Sequence, residues 1–349
     1  MHLKLIGSID AGVRCCGILY GVIVMIFDVA RHKFSEGLLT LLFFALMAMV
    51  VALSMGGGET VEGGAPLMGF VERVALNHPI LSALALLPMV VYAGLRFSRA
   101  AVRVGIYSAS SLAPVALGGV AMFACLTTPN YLSMMVVILL VSEVFGRLFY
   151  SLGANIRIGF LFTSMLSLGV MPLVDSALMP LAIALSLIVI FVRGTLRETI
   201  VTLVGVASPT FVYCYLVWLF GGEFDVAFME IWGWDNLLAQ HGSVVTYLTL
   251  PRFVFLGLTL FANLCSILVY HNVRVTLVDS TRAIWRLLIV LEILLVAMLL
   301  LLPSASPAVV ASLVLVMTLM LPQLFIRLGV YVATIAYLIW VVSALATIL

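Results

Sequence analysis

The chain has 349 residues, 64% of them hydrophobic and 9% charged, with a formal net charge of +2 and a mean hydropathy of +1.29. A soluble domain, which carries about 25% charged residues, is excluded, and basic residues this few and dispersed exclude nucleic-acid binding. Repeated apolar runs of about 20 residues, each able to cross a ~30 Å hydrocarbon core, predict a single all-α domain: a polytopic transmembrane helical bundle of about eleven or twelve spans.

Residues 1–36 read as an N-terminal extension. Within it, 11–29 carry Arg14 and Asp28 at the ends of a shortened apolar core, which suits an interfacial or short tilted helix as well as a span. The run 37–55 predicts a span that stops at three glycines, and the loop after it holds Glu59, Glu62 and Glu72. Spans follow at 79–95 and 105–126, with Arg96, Arg99 and Arg103 between them. A short connection, TTPNY, leads to a span at 132–150, and Arg147 and Arg157 flank the loop beyond it.

From 159 to 191 the chain is apolar except for Pro172, Asp175 and Pro180. As helix this stretch rises about 50 Å, whereas two full crossings need about 60 Å. It predicts either a tight hairpin of two short helices with Asp175 at its outer tip, or a re-entrant pair of the kind that marks transporter sites. Arg193 and Arg197 follow, then a span at 199–219 interrupted by Pro209. The loop 220–252 contains Glu223, Asp225, Glu230, Asp235, Trp232 and Trp234, with no Lys or Arg before Arg252. Four further spans are expected near 253–270, 285–303, 308–326 and 329–348.

Basic residues concentrate in alternate loops: Arg31 and Lys33; Arg96, Arg99 and Arg103; Arg147 and Arg157; Arg193 and Arg197; Arg274, Arg282 and Arg286; Arg327. The positive-inside bias assigns these to the cytoplasmic side of a bacterial inner membrane, and the acidic loops 56–78 and 220–252 to the outer side.

Several polar groups are candidates for chemistry. Glu59, Glu62, Glu72 and Asp225 are outward carboxylates, able to act as a general base or to hold an ion beside a phosphate leaving group; outward loops also simply tolerate acids. Glu292 lies in the middle of IVLEILLVAML, where a carboxylate faces the protein interior or a wet cavity, and Asn263 is the nearest polar candidate to pair with it. Glu292, Asn263 and Asp175 therefore form a possible substrate or ion pathway, the alternative being a carboxyl that joins helices. Glu143 and Arg147 are four apart and expected to form an ion pair, or else a site for a lipid head group. Arg193 and Arg197 anchor topology and can also grip lipid phosphates. Phe224, Phe228, Ile231 and Leu238 share one helical stripe beside Trp232 and Trp234, which predicts an interfacial amphipathic helix.

No metal or cofactor is implied. The five histidines occur singly, without HxxxH or HExxH spacing, and the five cysteines form no CxxC, so packing is their expected role. P-loop, dinucleotide and GxSxG motifs are lacking.

Three stretches carry a family resemblance: NHPILSALALLPMVVYAGLRF (77–97); the block from TPNYLSMMVVILLVSEVFGRLF to the helix after Arg193-x-x-x-Arg197-Glu198, with Gly205 and Pro209; and VRVTLVDSTRAIWRLLIVLEILLVAMLLLLPSASPAVV with the two closing spans. From about residue 37 onward the layout resembles an uncharacterised family of polytopic inner-membrane proteins from Bacteroidota. That resemblance implies a role in the cell envelope and supplies no catalytic residues.

Three functions fit these features. The first is an enzyme or carrier acting on a polyprenyl-phosphate-linked glycan or lipid at the outer face, similar in layout to membrane glycosyltransferases that place an acid in the first outer loop beside an interfacial helix. Its partners would be membrane lipids and that substrate. The second is a transporter or lipid flippase built on Glu292, Asn263 and the 159–191 hairpin. The third is a non-catalytic membrane component of an envelope complex.

Overall fold

A computed structural model describes residues 34–55, 66–103, 113–128, 130–152, 158–193, 195–233, 247–302 and 307–348. The predicted segment 11–29 and residues Glu59, Glu62, Trp234 and Asp235 lie outside the described residues. The described residues form thirteen α-helices and no strand. In order they are α1 (Phe34–Met55), α2 (Pro66–Asn77), α3 (Pro79–Arg103), α4 (Ala113–Leu126), α5 (Tyr131–Leu152), α6 (Ile158–Val174), α7 (Met179–Arg193), α8 (Leu196–Leu219), α9 (Phe224–Trp232), α10 (Leu250–Val273), α11 (Asp279–Leu301), α12 (Pro307–Arg327) and α13 (Val330–Leu345).

Eight of these are long and apolar enough to cross a membrane, and α4, α6 and α7 are shorter apolar helices among them. The polytopic all-α bundle expected from composition is what the chain forms. Its local signals are also in place. Thr195 caps α8 by accepting a hydrogen bond from Glu198 N–H at 3.4 Å, and its hydroxyl donates to Glu198 Oε2 at 2.8 Å. At the far end of α8, Gly221 takes φ 89°, and the N–H groups of Gly221 and Gly222 close on the carbonyls of Trp218 and Val217. That left-handed step, inexpensive only for glycine, ends the helix and redirects the chain into α9.

Contacts between helices show which ends lie together. Ser82 and Tyr131 hydroxyls meet at 2.7 Å where α3 and α5 both begin, while Arg96 meets Glu143 further along the same pair. Thr127, after α4, bonds to Thr347, after α13, at 3.2 Å. Tyr270 stacks on Trp285 at 4.7 Å where α10 gives way to α11. Successive membrane helices therefore alternate in direction. One end of the bundle gathers Arg147, Arg197, Arg282, Arg286 and Arg327; the other carries α2 and α9.

The axis of the bundle is α12, 89% buried, against 22% for α8 at the periphery. Beside it, all fourteen residues of α4 are buried. Protein and not lipid therefore surrounds its described residues.

The region 158–193 folds as two short apolar helices. Leu173 near the end of α6 packs with Cys214 near the end of α8, and Phe162 lies against Gly205 nearer both starts. The two helices thus run parallel, with α7 returning between them. Their approach is close: a Cβ at Gly169 would lie 2.2 Å from the Val206 carbonyl oxygen, and one at Gly205 2.7 Å from Met165 Cβ. The expected outer tip is not exposed. Asp175 is 2% accessible and its carboxylate accepts the Ala177 N–H at 3.0 Å, capping a 3-10 turn, Ser176–Leu178, between the two helices. The turn packs against α12, which is why it is covered.

Candidate functional site

At the α2/α9 end, two short helices lie over the bundle. In α2, Glu72 and Ala75 turn inward while Phe70, Arg73 and Leu76 face out. Glu72 is 7% exposed, whereas Arg73 stays on the outer face and donates to its own helix at Gly69 O, 3.2 Å. In α9, Ala227 and Ile231 pack with Leu173 of α6 and Cys214 of α8. Leu67 of α2 and Trp232 of α9 border the same cluster, so the two overlying helices adjoin across the end of α6.

The carboxylates of α9 are placed differently from Glu72. Asp225 is exposed in the first turn, where the helix dipole favours a negative charge, and Glu223 and Glu230 are exposed as well. Trp232 is half-buried. Its indole N–H donates to Thr210 Oγ1 at 3.0 Å, pinning α9 to α8. Phe228 is 38% exposed, and the inward stripe runs through Ala227 and Ile231 instead.

Arg252 closes the same end of the bundle. Its Nη1 donates to Tyr247 O at 2.9 Å, its Nη2 donates to Thr127 O, and its guanidinium lies 4.6 Å from the Tyr247 ring centroid. Burial pushes the Tyr247 phenol well above its ordinary value, with Cys125 nearby adding to the rise and Arg252 opposing it. The ring is therefore a neutral platform for the cation. The arginine holds the carbonyl just past the C-terminus of α4, where a helix presents partial negative charge.

Toward the arginine-rich end, Glu143 is the hub of an ion-pair cluster. Arg147 Nε lies 2.7 Å from its Oε2, the expected i,i+4 pair. Arg96 from α3 adds Nε at 3.2 Å from Oε1 and Nη2 at 3.3 Å from Oε2, and the Tyr92 hydroxyl donates to Oε1 at 2.5 Å. Gly146 leaves the room: a Cβ there would be 3.2 Å from Arg96 Nε. Two guanidiniums share one carboxylate, so the cluster keeps a net positive charge. Arg197 is exposed one helix away, and Arg193 is the last residue of α7.

Near the middle of the bundle, Glu292 of α11 is 5% exposed and Asn263 of α10 is fully buried. Asn263 is the polar side chain that interacts with the carboxyl, as its position in the sequence suggested. Among the described residues, no group of three or more His, Cys, Asp and Glu side chains is placed to hold a metal ion.

Comparison with known proteins adds nothing to this geometry. No family model, curated protein or solved structure matches the chain. The likeness to the Bacteroidota membrane proteins rests on the quoted sequence stretches alone.

Sequence reasoning found Glu143, Arg147, Glu292 and Asn263 but missed Tyr92, Arg96 and the closure by Arg252. Tyr92 and Arg96 had a usable signal: they are themselves four apart, hence on one helix face, within the span that precedes the basic loop. Arg252 had none, because its partners are a backbone carbonyl and a ring, which leave no charge pattern.

Proposed function

We propose that the chain is a multi-pass protein of a bacterial inner membrane that handles a polyprenyl-phosphate-linked glycan or lipid at its α2/α9 end, in the manner of a membrane glycosyltransferase. The observation that carries this reading is Glu72: a carboxyl 7% exposed, on the inward face of an amphipathic helix that lies over the bundle end. A lipid-linked donor keeps its tail in the hydrocarbon and its phosphate at head-group level, so a group that works on it must sit at that depth. The arginines at the opposite end favour placing the α2/α9 end outside.

In glycosyl transfer, a carboxylate in this position takes the proton of the acceptor hydroxyl. The acceptor oxygen bonds to the sugar carbon as the bond from that carbon to the phosphate oxygen breaks, and polyprenyl phosphate leaves with the electron pair. Asp225 on α9 lines the outer approach.

The test is made in cells depleted of the protein, by extracting lipid-linked saccharides and measuring their pools. Depletion is expected to make one such species accumulate, wild-type protein to clear it, and Glu72→Gln to fail while remaining at wild-type abundance in the membrane. Asp225→Asn is expected to clear it partially. Unchanged pools on depletion, or full clearance by Glu72→Gln, would refute the reading.

A further inference from the structure

We infer that Glu292 and Asn263 form a proton-binding site in the middle of the bundle, whose proton exchanges with water. The inference does not depend on chemistry at the α2/α9 end.

It starts from the burial of both side chains, 5% and 0% exposed, on helices that pack against the central α12. Although Asn263 interacts with the carboxyl, Glu292 Oε2 and both amide atoms of Asn263 make no hydrogen bond of ordinary geometry. The neighbours do not complete them. Thr259, one turn away on α10, donates to Phe255 O at 2.7 Å and accepts from Trp340 Nε1 at 2.9 Å. Ser266, on the other side, donates to Met320 O at 2.5 Å. Three polar atoms side by side and unclosed are not a locked carboxyl–amide clasp, because buried polar groups that serve only packing are normally satisfied.

Among the described residues no cation is placed to neutralise a carboxylate here. On α12 the one basic residue is Arg327 and on α7 it is Arg193, each at a helix end. On α5, Glu143 and Arg147 are bound to each other. Arg252 of α10 is held at one end on Tyr247 and Thr127, and His271 is exposed at the other. Tyr270 is stacked on Trp285, and Cys265 is the remaining titratable side chain of α10 near this depth. On α11 itself, Arg282 pairs with Asp279 at 3.1 Å and Arg286 is exposed. An isolated carboxylate in hydrocarbon is expensive, so the group takes up a proton. Once protonated, its hydroxyl can donate to Asn263 Oδ1 while its carbonyl accepts from Nδ2–H. Among the described residues the two oxygens of Glu292 and one of Asn263 meet here, too few to replace the shell of about six that holds a hard cation.

Infrared difference spectroscopy of the full-length protein in lipid nanodiscs tests this. The protonated-carboxyl stretching band is expected to lose intensity as pH rises, to shift in D2O, and to be lost in Glu292→Gln. Asn263→Leu is expected to move its titration midpoint. The D2O and pH experiments need only wild-type protein, so a variant that fails to fold does not remove the test. A band indifferent to pH and D2O would show a sealed structural carboxyl and overturn the inference. So would the absence of any wild-type band lost in Glu292→Gln, or a midpoint that moves when sodium replaces potassium.

Discussion

Replacing Gly169 with alanine should destabilise the protein, while the same change at Gly257 should stabilise it. A Cβ at Gly169 would lie 2.2 Å from the Val206 carbonyl oxygen and 2.9 Å from its carbon. Carbon–oxygen contacts normally begin near ~3.3 Å, so α6 and α8 would have to separate by about 1 Å. Both partners are helix backbone, with no flexible side-chain end to swing aside. Overpacking of this kind costs about 1–3 kcal/mol. Alanine in a helix recovers about 0.5–1 kcal/mol over glycine, which leaves a net loss of roughly 1–2 kcal/mol at Gly169. Gly257, within α10, has no atom within 4 Å of its would-be Cβ, so only the gain remains there. Equilibrium unfolding of the purified protein in mixed micelles, followed by tryptophan fluorescence, measures both. If Gly169→Ala is as stable as wild type, or if both variants shift the same way, the close packing of α6 on α8 is wrong.

Other outcomes follow from the contacts at the two ends. Glu143→Gln should lower stability by about 1 kcal/mol, because two guanidiniums lose their shared counter-charge in a partly buried setting; an unchanged unfolding midpoint would argue against the cluster. Trp232→Phe should remove about 1 kcal/mol of hydrogen bonding to Thr210 and speed amide exchange across 224–232, and unaltered exchange would mean α9 is held by its apolar face alone. Arg252→Ala should cost about 2 kcal/mol, since it strips a charged donor from two buried carbonyls. Arg252→Lys should recover only part of that loss, because an ammonium cannot reach both acceptors from one plane.

Much of the fold was legible because apolar run length reports membrane spans directly. The runs at 37–55, 79–95 and 308–326 each lie within one of the long helices. What the runs did not show is which spans are central. In a soluble helix the polar face marks the outside, but here lipid and protein core are both apolar, so the pattern does not tell α12 from α8. Asp175 illustrates the same limit: a lone acid in a greasy turn looked like an exposed tip, yet α12 covers it, and its charge is met locally by the turn's own N–H. At the candidate sites, pairs within one helix, such as Glu143 with Arg147, were readable from spacing. Arg96 with Glu143, and Leu67 against the cluster of Leu173, Cys214, Ala227 and Ile231, were not, because they depend on how distant helices meet.

The enclosure of α4 has a consequence for how the protein is made. Its sheath includes α12, whose first residue, Pro307, emerges from the ribosome about 180 residues after Leu126. Until then α4 waits among α1, α3 and α5 with one flank bare. A chain interrupted before Pro307 would present that flank to lipid and to membrane quality-control proteases. The last eighth or so of the protein thus decides whether its first third is finished.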